Sequence, residues 1–395
     1  MFRLATVTAV ITTGILLLSF ITFVGEKSSG PVENLMASLG NGIASLETKY
    51  IMAQRGESRS KDLSWLNRYR NDREELTNPS TMFLGAYDNK AQDNFEAIVS
   101  FEDSIQTKFS LIHFFTAWGS YRDQRFPSSQ VNAITTLGSI PLITWEPWLG
   151  DFDKRLMPEI ADYEIRDKNN LKAIASGAYD SYIDQWASDA KDFGDLMMIR
   201  FGHEMNDPFR YPWGPQNNAP EDFVAAWQHV VDRFRAIGAD NVLWVWSPHP
   251  VYGQFEAYYP GEEYVDWVGT GVLNYGTVAT WSQWNSFDDS FAAQYEEMTE
   301  FNKPIIIAEF GSLSVGGDQA EWYKNALTDF PQKYPEVKSL VFFHNSNDAT
   351  TTYQELSWYI KNDPSVVREL VGAINEWPYI PGDFMVKKGN FRSMK

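Results

Sequence analysis

The chain has no cysteine in its 395 residues. Disulfides, thiolate metal sites, a cysteine nucleophile and a lipid-modified N-terminal cysteine are therefore excluded. The redox compartment stays open, since an exported protein need not carry disulfides. Positive charge is also scarce. The 33 Lys and Arg face 52 Asp and Glu, a net charge of −19, which repels phosphate backbones and argues against a nucleic-acid partner. An uncharged polymer is compatible with that balance. Several catalytic signatures are missing. Gly85-Ala86-Tyr87-Asp88 is no dinucleotide fingerprint, and Ser314-Val315-Gly316-Gly317 lacks the lysine of a phosphate loop. Gly-Ser pairs occur at Gly119, Gly138 and Gly311, but no Gly-x-Ser-x-Gly elbow exists. His203-Glu204 invites a zinc reading, yet Asp207 stands where the second histidine of a zincin helix is required. No metal and no cofactor are expected.

What is present is apolar and aromatic. Hydrophobic residues make up 44% of the chain, enough for a full core, and 15 Trp, 19 Tyr and 26 Phe are among them. Core filling accounts for most aromatic residues. Many of these tryptophans, however, lie beside Gly, Pro, Asn or Asp at loop-like positions, and a rigid indole suits the flat C–H face of a sugar ring. At the N-terminus, Leu4 to Val24 is an uncharged, mainly apolar run, close to the roughly 20 residues that span a bilayer as a helix. Phe23-Val24-Gly25 is a poor cleavage site, so residues 1–25 read as a signal anchor, with a cleaved signal peptide as the alternative. Either way the rest of the chain is expected outside the cytoplasm, held at the membrane or secreted.

Residues 26–78 combine an apolar piece, Leu35 to Ile51, with a charged piece, Arg55 to Glu75. They read as a stalk or short helical lead-in. From Thr81 a rhythm sets in, with short apolar runs alternating with longer amphipathic stretches as in βα units. Strands are expected at Met82–Tyr87, Ser110–Phe115, Ile140–Trp145, Leu196–Arg200, Val242–Trp246, Asp266–Gly271, Pro304–Glu309 and Leu340–Phe343. Helices are expected at Val131–Leu137, Tyr179–Phe193, Pro220–Ile237, Ser290–Phe301, Gln319–Phe330 and Ser365–Glu376. Eight strands over some 300 residues suit an α/β fold, a (β/α)8 TIM barrel occupying 79–380; residues 381–395 form a tail. A doubly wound open sheet is the alternative.

Active sites of such barrels form at the C-terminal ends of the strands. Trp118 follows the second strand, Trp145-Glu146-Pro147-Trp148 the third, and His203-Glu204-Met205-Asn206 the fourth. Trp246 and Ser247-Pro248-His249 mark the end of the fifth, Asn274-Tyr275 the sixth, Glu309 the seventh and His344-Asn345 the eighth. Glu204 and Glu309 carry the argument, because an acid at the end of a buried strand is costly without a purpose. Two carboxyls facing one pocket are the minimum equipment for cleaving a glycosidic bond, and about 5–5.5 Å separates them in retaining enzymes. The fourth and seventh strands are expected to face each other across a small barrel. Glu146 is a third acid near the pocket, able to bind a hydroxyl or compete for the acid role. His203 is expected to bond to a carboxylate or to sugar. Asn206 is expected to meet a hydroxyl or cap a helix, and Tyr275 to hold a carboxylate or pack its loop. Trp118, Trp145, Trp148 and Trp213 are the candidate platforms, with Trp246 and His344 as further substrate-binding candidates at the fifth and last strands.

Arg200-Phe201-Gly202-His203-Glu204-Met205-Asn206 with Pro212-Trp213-Gly214 resembles glycoside hydrolase family 26. Leu243 to Pro248, Tyr264 to Gly269 and Lys303 to Phe310 continue the resemblance in the right order. It implies a (β/α)8 fold and retaining chemistry, with Glu204 as acid/base, Glu309 as nucleophile, and His203, Trp213 and Tyr275 in the pocket. The family includes β-mannanases, mixed-linkage β-glucanases and β-1,3-xylanases. Phe201 replaces a proline common in the mannanase motif, and Trp145-Glu146 stands where mannanases tend to carry histidine. Both departures point to a β-linked glucan as the polysaccharide partner of a monomeric endo-glycanase. A mannanase of the same family, and a glycan-binding protein that has lost turnover, are the alternatives.

Overall fold

The computed structural model describes residues 49–59, 61–91, 95–349 and 355–377, together with 46 and 352. The apolar run 4–24 and the tail 381–395 lie outside the described residues. Among the described residues, no helix is long and apolar enough to cross a membrane.

Eight parallel strands close into a barrel in chain order: β1 (Phe83–Asp88), β2 (Leu111–Ala117), β3 (Ile140–Glu146), β4 (Met197–Phe201), β5 (Val242–Trp246), β6 (Trp267–Asn274), β7 (Ile305–Ser312) and β8 (Val337–His344). β8 pairs back onto β1 over six residues. The expected barrel is therefore present, and the open sheet is not. Helices lie between the strands. Pro220–Ile237 shows why these sequences form them. Asp222 accepts the Ala219 N–H at 3.0 Å, and Gly238, at φ +83°, ends the helix. Phe223, Trp227, Val230, Val231 and Phe234 recur on one face and bury it against the barrel. The expected helix Gln319–Phe330 breaks after Leu327, and Phe330–Lys333 forms a separate turn. Pro331 offers no N–H to bond the Leu327 carbonyl, and Asp329 turns the chain with left-handed backbone at φ +54°.

The strand period of two sorts side chains into two layers. Phe83, Leu111, Leu142, Met198, Leu243, Val245, Trp267, Ile306 and Val341 fill the barrel. Their neighbours Leu84, Ile112, Ile143, Ile199, Trp244, Val268, Ile307 and Leu340 face the helices. One break in the alternation bears on the pocket. Along β7, the pairing with β6 runs Thr270 to Ile307 and then Gly271 to Glu309, a register shift of one residue. Ala308 faces inward and so does Glu309, which lines the pocket. Phe310 returns to the outer layer. The bulge turns Glu309 into the barrel.

The N-terminal mouth is closed by residues 63–77. Leu63, Leu66, Tyr69 and Leu76 join the interior cluster, and the Tyr69 ring meets Phe83 edge-on at 5.0 Å. Trp267 Nε1 donates to the Leu76 carbonyl at 3.1 Å. Arg73 grips both oxygens of Asp266, at 2.9 and 2.8 Å. The lead-in is thus a plug beneath the strands.

Candidate active site

A cavity of about 560 Å³ opens at the C-terminal ends of the strands. Tyr87, Phe115, Glu146, Trp148, His203, Phe209, Arg210, Tyr211, Glu309, Phe343, Asn345 and Asp348 line it. Glu309 is 8% exposed and Glu204 7%. β4 and β7 stand three places apart around the eight-stranded barrel, close to the opposed placement expected, and the Glu204 carboxylate is near enough to raise Glu309. Both acids approach Gly271 of β6. A Cβ there would lie 3.6 Å from Glu309 Cβ and 3.9 Å from Glu204 Oε1.

Each acid has its own guanidinium. Arg200 projects inward from β4 and donates from Nη2 to Glu309 Oε1 at 2.5 Å. Its Nε donates to Thr144 Oγ1 at 2.8 Å, and that oxygen also meets His113 Nε2 at 2.7 Å. Arg200 is fully buried, so its fork is held in one orientation. Burial pushes the Glu309 carboxyl above its usual range, while Arg200 opposes the shift and Glu204 adds to it. Glu204 sits in a turn that breaks away from β4. Gly202 and Glu204 both have left-handed backbone, at φ +51° and +52°. That geometry costs a non-glycine residue about 1–2 kcal/mol, and it is pinned by Gly202 N–H to the Trp145 carbonyl at 3.0 Å and Glu204 N–H to the Ser247 carbonyl at 2.7 Å. Arg210 Nη1 meets Glu204 Oε2 at 3.1 Å.

Glu146 is a further carboxyl of the pocket, which Asp348 also lines. Burial raises it to about 7, against the pull of Trp148, whose Nε1 donates to it at 3.2 Å, and of Arg200. His203 lies beside them but bonds to the Tyr211 hydroxyl, at 3.1 Å from Nε2, and to neither Glu204 nor Glu309. Burial and the Arg200 charge push it well below its ordinary value, so the ring is neutral. Its Nδ1 has no hydrogen-bond partner among the described residues.

Several expected sugar contacts are placed elsewhere. Trp118, Trp145 and Trp246 are fully buried among helices on the outer side of the strands. Trp145 packs on Trp186 at 4.4 Å, and Trp246 donates to the Tyr258 carbonyl at 3.0 Å. The alternation decides this: Glu146 faces in, so Trp145 faces out. Trp213 stands one layer behind the wall, stacked under Tyr211 at 4.5 Å and bonded to the His203 carbonyl at 2.8 Å. His344 points outward from β8, paired with Asp88 at 2.7 Å between the rings of Phe101 and Tyr359. Asn206 spends its amide on the β5 loop, donating to the His249 and Gly253 carbonyls at 2.9 Å and accepting the His249 N–H at 2.7 Å. Tyr275 is half-buried, edge-on to Trp281 and Trp358. Sequence reasoning assigned no role to Arg200, Arg210 or Tyr211. Arg200 carried a legible signal, a charged residue inside an otherwise apolar strand.

Glu204, Asp207 and His249 have ligand-type atoms within 4.8 Å of one another. They are not furnished as a cation site. Burial pushes His249 down to about 4, so its ring is neutral. Its Nδ1 accepts the Val251 N–H at 3.2 Å, which leaves the ring proton on Nε2 and no free lone pair for a metal. Arg210 already neutralises Glu204.

Residues 162–356 match the family described as Glycosyl hydrolase family 26. The chain is 35% identical over 294 residues to Endoglucanase H of Acetivibrio thermocellus, covering 71% of this chain and 29% of that one. It is 27% identical over 182 residues to the Mannan endo-1,4-beta-mannosidase of Bacillus subtilis, covering 44% and 46%. It spans between 28% and 48% of the length of the curated relatives it matches. Among solved structures, it is similar to a GH26 beta-mannanase from Bacteroides ovatus, with a TM-score of 0.57 at 16% identity over 81% of this chain and 96% of that one. This last likeness shows the shared fold.

Proposed function

The chain belongs to glycoside hydrolase family 26, and from that premise we propose that it is a retaining endo-β-glycanase acting on a β-linked glucan. The observation that carries the reading is the pair Glu204 and Glu309, brought together over Gly271 with a guanidinium on each. Glu309 attacks the anomeric carbon as Glu204 gives its proton to the leaving glycosidic oxygen. A covalent glycosyl-enzyme forms. Glu204 then takes a proton from water, whose oxygen displaces Glu309 and restores the original configuration. Arg200 aims the attacking oxygen. Arg210, a quarter exposed on its loop, is the cation beside Glu204.

The choice of glucan rests on Glu146. Glucose and mannose differ at C2, and a site built to bond one hydroxyl rejects the epimer that leaves buried partners unpaired. Glu146, anchored by Trp148 beside the catalytic pair, supplies such a partner. The higher identity to an endoglucanase than to a mannosidase agrees with this choice. The purified protein should release short mixed oligosaccharides from lichenan with early loss of viscosity, and little from mannan. Faster turnover on mannan than on lichenan or laminarin would overturn the glucan assignment and leave the catalytic pair standing. The apolar run 4–24 is read as the export and anchoring segment; release of the native protein from membranes by high salt alone would contradict that.

A further inference from the structure

Single exposed apolar residues are ordinary, but two exposed aromatic rings stand on the loops that follow β4 and β6, each mounted on a further aromatic ring. Phe209, on the loop after β4, is 77% exposed and also lines the pocket. Its N–H is held by Asp207 Oδ1 at 2.7 Å, and its ring meets Tyr252 edge-on at 5.9 Å. Trp281, on the loop after β6, is 58% exposed and stands edge-on to Tyr275 at 5.3 Å. Tyr275 in turn abuts Trp358 at 5.0 Å, and Trp358 abuts the pocket-lining Phe343 at 5.9 Å. Each exposed ring is thus continuous with a different wall of the pocket.

We propose that Phe209 on Tyr252 and Trp281 on Tyr275 are two stacking platforms for sugar rings of the glycan beyond the bond being cleaved. The proposal rests on the glycanase reading above and locates its outer subsites. A sugar presents a flat C–H face. A ring already fixed by its neighbours loses little freedom on receiving it, which favours binding. The mouth loops replace Trp118, Trp145 and Trp246, which are buried behind the strands, as the surface that a polymer follows. Two platforms on different walls fit a chain that runs through the site, which is what internal cleavage requires.

The test uses the full chain with Phe209→Ala, Trp281→Ala and the double variant. The readouts are kcat/KM on oligosaccharides of increasing length, and retardation in native gels containing lichenan, laminarin, mannan or xylan. Each single variant should lose about tenfold on the longest substrates, the size of one ordinary contact, with the loss growing with chain length and residing in KM. The double variant should show the product of the two losses, since the platforms are separate. Phe209→Tyr and Trp281→Phe, which keep a flat ring, should recover most of it. A loss independent of length, or no loss, overturns the platforms. If the unmodified chain is retarded by a glycan but cleaves none, and the alanine variants are not retarded, the platforms stand and the catalytic reading falls. If it cleaves a β-glycan and the variants match it at every length, the reverse holds. If it is neither retarded by nor active on any of these glycans, both fall.

Discussion

At the scale of single residues, the proposed division of labour between Glu204 and Glu309 makes separable predictions. Glu309→Ala should abolish turnover; because it strips buried Arg200 of its counter-charge it should also lower the urea midpoint, while the far-UV circular dichroism below the transition stays that of the unmodified chain. Added azide should restore some activity and yield a glycosyl azide of inverted configuration. Glu204→Ala should damage substrates with poor leaving groups far more than aryl glycosides with good ones, which need little protonation. Equal damage on both would assign Glu204 a positioning role and move attention to Glu146. That further acid has its own signature. Its folded value of about 7 lies above the ordinary 4.5. Between those two values the folded chain holds a proton that the unfolded chain has lost, so stability falls as pH rises through the window. Above it the deficit is complete, at most about 3 kcal/mol. Glu146→Gln should remove the fall. Urea melts at pH 5 and pH 8 should show the variant gaining on the unmodified chain at the higher pH, and a constant difference would refute the assignment.

At the scale of elements, the stretch 63–77 decides where the domain begins. Its apolar side chains cover Phe83 and Trp267 at the bottom of the barrel, and Arg73 ties it to Asp266 just before β6. Arg59 is fully buried further upstream, donating to Ser139 Oγ at 3.0 Å and to the Leu137 carbonyl at 2.8 Å. It also pairs with Glu102. Breaking a buried pair of this kind costs about 3–5 kcal/mol, because the remaining charge is left uncompensated. A chain begun at residue 79 should therefore be poorly soluble or melt at markedly lower denaturant, whereas one begun at residue 46 should fold. Equal urea midpoints for the two would show that the plug contributes nothing.

At the scale of the whole molecule, the net charge of −19 bears on which polymers approach. A neutral glucan feels none of it. A carboxymethylated glucan is repelled over the Debye length, about 10 Å at 0.1 M salt. Initial rates of reducing-sugar release should be lower on the carboxymethylated polymer at low ionic strength. The gap should narrow as salt is added, and a ratio indifferent to salt would mean that the mouth is shielded from the global charge.

Chain order and local periodicity were enough for the barrel. Each βα unit is a local pattern, and a strand run followed by an amphipathic run reports itself without reference to distant residues. That Glu204 follows the fourth strand and that Glu309 belongs to the seventh was legible for the same reason, although β7 runs on to Ser312 beyond the end expected at Glu309. The side on which a residue falls was legible only in part. Parity separates Trp145 from Glu146, but parity alone would have sent Glu309 outward. The bulge in β7 that turns it in depends on pairing with β6 and β8. Likewise the left-handed turn at Glu204 is fixed by carbonyls of β3 and β5, and Arg200 finds Glu309 across 109 residues of chain. The plug at the barrel floor and the aromatic mounts at its mouth are long-range contacts of the same kind. Such contacts leave no period in the sequence, because their partners are set by closure of the barrel and not by spacing along the chain.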